Sequence, residues 1–234
     1  MKSVRTFIAV LALTCYVQGT CRIVQFTSTP YGFCDLNGDT CTLTAPYLLP
    51  ISSGHVGVVG ISTSGVVFPG QQTIVSIDDD DSVYQHGSSN YEASGSHSID
   101  YYVTLPTSNG GGGTFGGSSI TVKRSAIGSN WFVTFAESVC DAVPHTVMST
   151  ASSSQSSTTY FGSYLPRRGK SMVSLQWIAG GGGMYHISSP YTGIFTDHSG
   201  FAAADTAAVS GVPTWSSKTA GSYVAAGILI TDAP

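Results

Sequence analysis

Apolar and polar residues alternate with a period of two along most of the chain. Ile99, Tyr101, Val103 and Leu105 fall on one face of segment 98–105, and Trp131, Val133 and Phe135 on one face of 130–135. Segment 172–178 sets Val173, Leu175 and Trp177 against Ser174 and Gln176. Successive side chains on an extended strand point to opposite faces, so each pattern predicts a strand with one face in a core. Segment 223–231 is apolar on both faces, which predicts a central strand. Further strands are predicted at 23–27, 55–61, 66–68, 73–77, 119–124, 147–150 and 158–164.

Turn signals separate these runs at short intervals: Pro69-Gly70, Asn109-Gly110, Pro166 and Pro213. Many short strands with frequent turns predict an all-β fold, a single β-sandwich or jelly-roll domain of antiparallel strands. Only 201–209, rich in alanine, has helical character. The acidic and Ser/Gly-rich tract 78–97 and the glycine-rich tract 108–118 read as exposed loops. No repeat with a period of 20–50 residues is present, which excludes the common solenoids and propellers.

The N-terminus breaks the pattern. Lys2 and Arg5 precede an apolar run over 7–13, and Val17-Gln18-Gly19 puts small residues at a cleavage site. That arrangement predicts a signal peptide over 1–19 and a single domain over 20–234. No later run reaches the ~20 apolar residues of a membrane-spanning helix. Of the five cysteines, Cys15 leaves with the signal. Cys21, Cys34, Cys41 and Cys140 then form two disulfides, for which Cys34–Cys41 with Cys21–Cys140 is the preferred pairing.

Composition narrows the partners. Only 9% of residues are charged, against roughly 25% in ordinary soluble domains. Ser, Thr, Gly and Tyr therefore make most of the surface, which lacks the mutual repulsion that keeps molecules apart. Without Lys2 and Arg5 seven bases face thirteen acids, a balance that excludes nucleic acid and disfavours anionic membranes.

Candidate chemistry is sparse. The glycine runs at 110–113 and 180–183 are followed by no helix start, which a phosphate loop requires. Asp197, His198 and Ser199 carry the residue types of a hydrolytic triad. They are adjacent, however, and neighbouring side chains on an extended chain diverge. Histidines occur at 55, 86, 97, 145, 186 and 198 with no pair at metal-binding spacing. The acidic run Asp78, Asp79, Asp80 and Asp81 is the one candidate metal site, for calcium. Arg167, Arg168 and Lys170 follow Pro166 and read as a basic turn. The Ser/Thr tract 149–160 reads as a loop or an O-glycosylated stretch.

The stretch Cys34-Asp35-Leu36-Asn37-Gly38-Asp39-Thr40-Cys41 has the opening spacing of a calcium loop. Counted from Asp35, however, the sixth and twelfth positions are Thr40 and Pro46 rather than glycine and an acid. An Asn-Gly turn instead sets Cys34 opposite Cys41 in a disulfide-closed hairpin.

No catalytic set emerges, and an enzyme is not expected. The pattern predicts a secreted structural protein that associates with itself, as a building block of a matrix, coat or fibre. Segment 20–29 would pair with a neighbouring subunit's sheet edge. The alternative is a carbohydrate-binding module using Tyr84, Tyr91, Tyr101, Tyr102, Tyr185 and Tyr191, since tyrosine rings stack on the apolar faces of sugars.

Overall fold

Alternating sequence becomes antiparallel sheet throughout the computed structural model. It describes residues 21–28, 32–33, 41–46, 55–65, 73–78, 84–91, 97–104, 119–125, 129–140, 144–153, 159–161, 172–181, 183, 185–195, 199–206 and 213–232. The first nine strands are β1 (Arg22–Ser28), β2 (Gly32–Phe33), β3 (Cys41–Pro46), β4 (Val56–Gly65), β5 (Thr73–Asp78), β6 (Tyr84–Tyr91), β7 (His97–Thr104), β8 (Ser119–Ser125) and β9 (Ser129–Val139). The remaining eight are β10 (Pro144–Ser153), β11 (Thr159–Phe161), β12 (Met172–Gly180), β13 (Tyr185–Ile187), β14 (Thr192–Phe195), β15 (Ser199–Thr206), β16 (Thr214–Ser217) and β17 (Tyr223–Asp232).

The chain runs one strand order twice. In the first half β1-β9-β4-β7-β6 form one sheet and β3-β8-β5 a second, with β2 added against β9. In the second half β10-β17-β12-β15-β14 form one sheet and β11-β16-β13 the other. With β2 set aside, each half places its strands 1-8-3-6-5 in the large sheet and 2-7-4 in the small one. This is the jelly-roll winding, with the fifth strand folded back as a hairpin onto the sixth.

The two large sheets pack against each other. Val58, Ile99, Tyr101, Val103 and Phe132 of the first half share one core with Leu175, Trp177, Phe201, Val224 and Ile228 of the second. Trp177 is its centre. Its indole stacks on Tyr101 with ring centroids 6.2 Å apart and lies 5.1 Å from the Phe201 ring. Phe26 of β1 meets Phe201 edge-on at 5.9 Å. Opposed aromatic pairs add about 0.5–1.5 kcal/mol each beyond the area they bury.

Both large sheets are therefore covered on two faces. In β12 all nine residues are buried. Val173, Leu175, Trp177 and Ala179 point into the shared core, and Ile178 points the other way with Tyr185, Ala202 and Trp215. Val59, Ile61, Val133 and Phe135 are fully buried on the face of the first large sheet opposite Val58 and Phe132. The order is small sheet, large sheet, large sheet, small sheet. Ser174 and Gln176, polar positions of an alternating strand, consequently lie inside the protein.

Three sequence expectations change. Segment 201–209 is helical by composition, yet Ser199–Thr206 is a strand paired with both β12 and β14. Ala202, Ala203 and Ala204 are buried between the layers, and tertiary packing overrides a weak propensity. Tract 78–97 contains β6, whose ladder with β7 supplies the hydrogen bonds that an exposed loop would take from water. The Ser/Thr tract 149–160 begins within β10, which continues to Ser153, and ends at β11. Segment 66–68 lies outside the described residues.

Candidate functional site

Two groups of buried polar side chains stand out. The first lies at the end of the first large sheet, beside the bond between Cys21 and Cys140. Glu137 is completely buried in β9, opposite Gln25 of β1 and Gly57 of β4. Gln25 Nε2 donates to Glu137 Oε2 at 2.6 Å. His55, just before β4, places Nδ1 2.6 Å from Glu137 Oε1, and its side chain is 18% exposed. A buried polar side chain needs hydrogen-bond partners to offset its loss of water. Here each oxygen has its own partner.

The same corner joins the halves. The β1–β9 register shifts between Ile23 and Gln25, a bulge that takes one residue out of the ladder. That residue is Val24, and beside it Ile23 N–H donates to Asp205 Oδ1 of β15 at 2.6 Å. β1 is thus held by β9, by the disulfide and by the second half. The strand expected to pair with another subunit's sheet edge lies at the edge of its own sheet.

The second group lies within the second jelly roll. Gln176 Nε2 donates to Ser174 Oγ at 3.1 Å, and Ser174 Oγ lies 2.8 Å from the Tyr191 hydroxyl. Burial pushes the Tyr191 hydroxyl above its ordinary pKa, partly opposed by the Ser174 hydrogen bond. Gln176 sits opposite Gly227 of β17. A Cβ at Gly227 would stand 2.6 Å from Gln176 Nε2, so only glycine leaves the amide its place.

Glu137 and His55 have the residue types of an acid–base pair. Glu137 has no exposed surface, so solvent reaches the pair through His55, whose side chain is 18% exposed. The cluster ties β1, β9 and His55 together. Sequence reasoning passed over Glu137. Its signal was present, because Glu137 shares the inward face of Val133 and Phe135 by alternation.

Cys34 and the hairpin centred on Asn37 lie outside the described residues, while Cys41 opens β3, paired with Arg124 of β8. Asp78 ends β5, and Asp79, Asp80 and Asp81 fall outside. The basic turn at Arg167 and the residues Asp197 and His198 also lie outside, whereas Ser199 begins β15. Among the described residues no group of three or more His, Cys, Asp or Glu is placed to hold a metal ion. Tyr101 and Tyr185 are core residues, Tyr191 is 9% exposed, and Tyr102 is half-buried. Among the described residues no helix is long and apolar enough to cross a membrane.

Fold and site together define a two-roll, four-layer β protein. No protein-family model matches the chain. No curated protein matches it either. Among solved structures it is similar to the major capsid protein P2 from bacteriophage PM2, at 12% identity and a TM-score of 0.30, over 89% of this chain and 98% of that one. It is also similar to the STIV MCP, at 10% identity and a TM-score of 0.27, over 92% and 97%. At those values no function transfers.

Proposed function

We propose that the protein is a secreted structural building block that associates with copies of itself in a matrix, coat or fibre. The observation that carries this reading is the charge-poor chain, 9% Asp, Glu, Lys and Arg with a net charge of −4. Copies of such a molecule repel one another weakly. The fold is consistent with that role. Among the described residues the buried polar clusters bond within the chain, and the two rolls close on a shared core. On this reading residues 20–234 act as one unit after removal of 1–19. The carbohydrate-binding alternative has Tyr101, Tyr185 and Tyr191 turned into the protein.

The test is light scattering and negative-stain electron microscopy of the mature chain across a concentration series, beside a glycan array. Regular assemblies that grow with concentration support the proposal. A monomer at every concentration, or a glycan ligand bound by that monomer, overturns it.

A further inference from the structure

A sheet edge offers unpaired N–H and C=O groups to any strand that reaches it, and proteins block their edges with bulges, charges, proline or short strands. The two large sheets end in β1, β6, β10 and β14, with the two-residue β2 against β9 beside β1. β1 carries the bulge after Ile23, the charge of Arg22 and the Asp205 hydrogen bond. β6 has a register shift between His86 and Ser88. β14 is four residues long. The edges of the small sheets, β3, β5, β11 and β13, have six residues or fewer.

β10 has no bulge, no charged residue and no shortening. It is ten residues long, and each residue from Pro144 to Ser153 pairs in unbroken register with β17. Its sequence PHTVMSTASS contains no Lys, Arg, Asp or Glu, and its proline is confined to the first position. Among the described residues no strand pairs with its outer edge.

We infer that β10 is the edge through which two copies of this chain pair. The occupant follows from the edge inventory. β1, β6 and β14 are each bulged or short, so among the described residues the long, regular edge that a second copy presents to β10 is its own β10. An antiparallel strand pair is its own mate under a two-fold axis, which makes a closed, isologous contact. No charge on the strand opposes it at any register. The inference rests on the self-association proposed above and gives it a location.

Hydrogen–deuterium exchange of the mature protein at low and high concentration tests it, with light scattering on the same samples. The outward half of the amides in 144–153 is expected to slow by ~10-fold or more on association, while those of 84–91 and 192–195 stay unchanged. Ser149→Lys and Thr150→Lys place a charge on opposite faces of β10. Whichever variant keeps the wild-type circular dichroism and melting temperature is expected to weaken association by ~10-fold or more. Asn90→Lys on β6 should leave association unaltered.

If copies associate without added protection of 144–153, or if a folded β10 variant associates like the wild type, this inference is wrong and self-association stands. If the chain never associates, both readings fall.

Discussion

Trp177 Nε1 donates to Thr134 Oγ1 at 2.8 Å, across the boundary between the two halves of the chain. Thr134 Oγ1 in turn donates to the Gly60 carbonyl at 3.1 Å. One of the two largest buried side chains of the second jelly roll thus finds a polar partner in the first. Thr134→Val keeps the shape but leaves the indole N–H buried without this acceptor, a cost of ~2 kcal/mol. In chemical denaturation, the double variant Thr134→Val/Trp177→Phe should lose less than the two single variants together, because both remove one hydrogen bond.

Gly60 makes that approach possible. A Cβ there would stand 2.1 Å from Trp177 Nε1 and 2.9 Å from Thr134 Oγ1. Gly60→Ala is expected to destabilise at the upper end of overpacking costs, about 3 kcal/mol, because the ring is held between Tyr101 and Phe201. A melting temperature equal to wild type would contradict it.

Replacing Glu137 by leucine removes the partner of both Gln25 Nε2 and His55 Nδ1. Leaving a buried polar group without its partner costs ~1–3 kcal/mol, and unfolding should report a loss of ~2 kcal/mol. His55→Ala should cost about 1 kcal/mol or less, because the imidazole is partly exposed and water can replace part of its hydrogen bond.

The Cys21–Cys140 bond closes a loop with a sequence separation of 119. In the chain-entropy account a loop of that size stabilises by ~5 kcal/mol. Cys21→Ser/Cys140→Ser should therefore unfold at markedly lower denaturant concentration with native-like circular dichroism in buffer. An unchanged midpoint would show that β1 is held without it.

Tyr191 sets an alkaline limit. Its hydroxyl is raised above the ordinary 10.0 by burial, so the unfolded chain loses this proton first. Its contribution is complete below the unfolded value and is lost as pH rises through the folded one. Melting temperatures from pH ~8 to ~11 should fall more steeply for wild type than for Tyr191→Phe, so that the advantage of wild type narrows above pH ~10. At pH ~8 the variant should be less stable by about 1 kcal/mol, from loss of the Ser174 hydrogen bond.

Alternation in the sequence determined the strands around Tyr101, Phe135 and Trp177 and their apolar faces, because a pleated strand sorts its side chains locally. It could not say what lay against the other face. Gln176 and Ser174 have the polarity of a solvent face, but a third layer of sheet covers them. Alanine content at 201–206 pointed to a helix, and the edges of β12 and β14 made it a strand. The repetition of one strand order was invisible because it lies in the pairing of strands far apart in sequence. Glu137 was legible as a charge at an inward position, but its partners were not. Gln25 lies 112 residues away and His55 82. Only closure of the sheet brings them within hydrogen-bond reach.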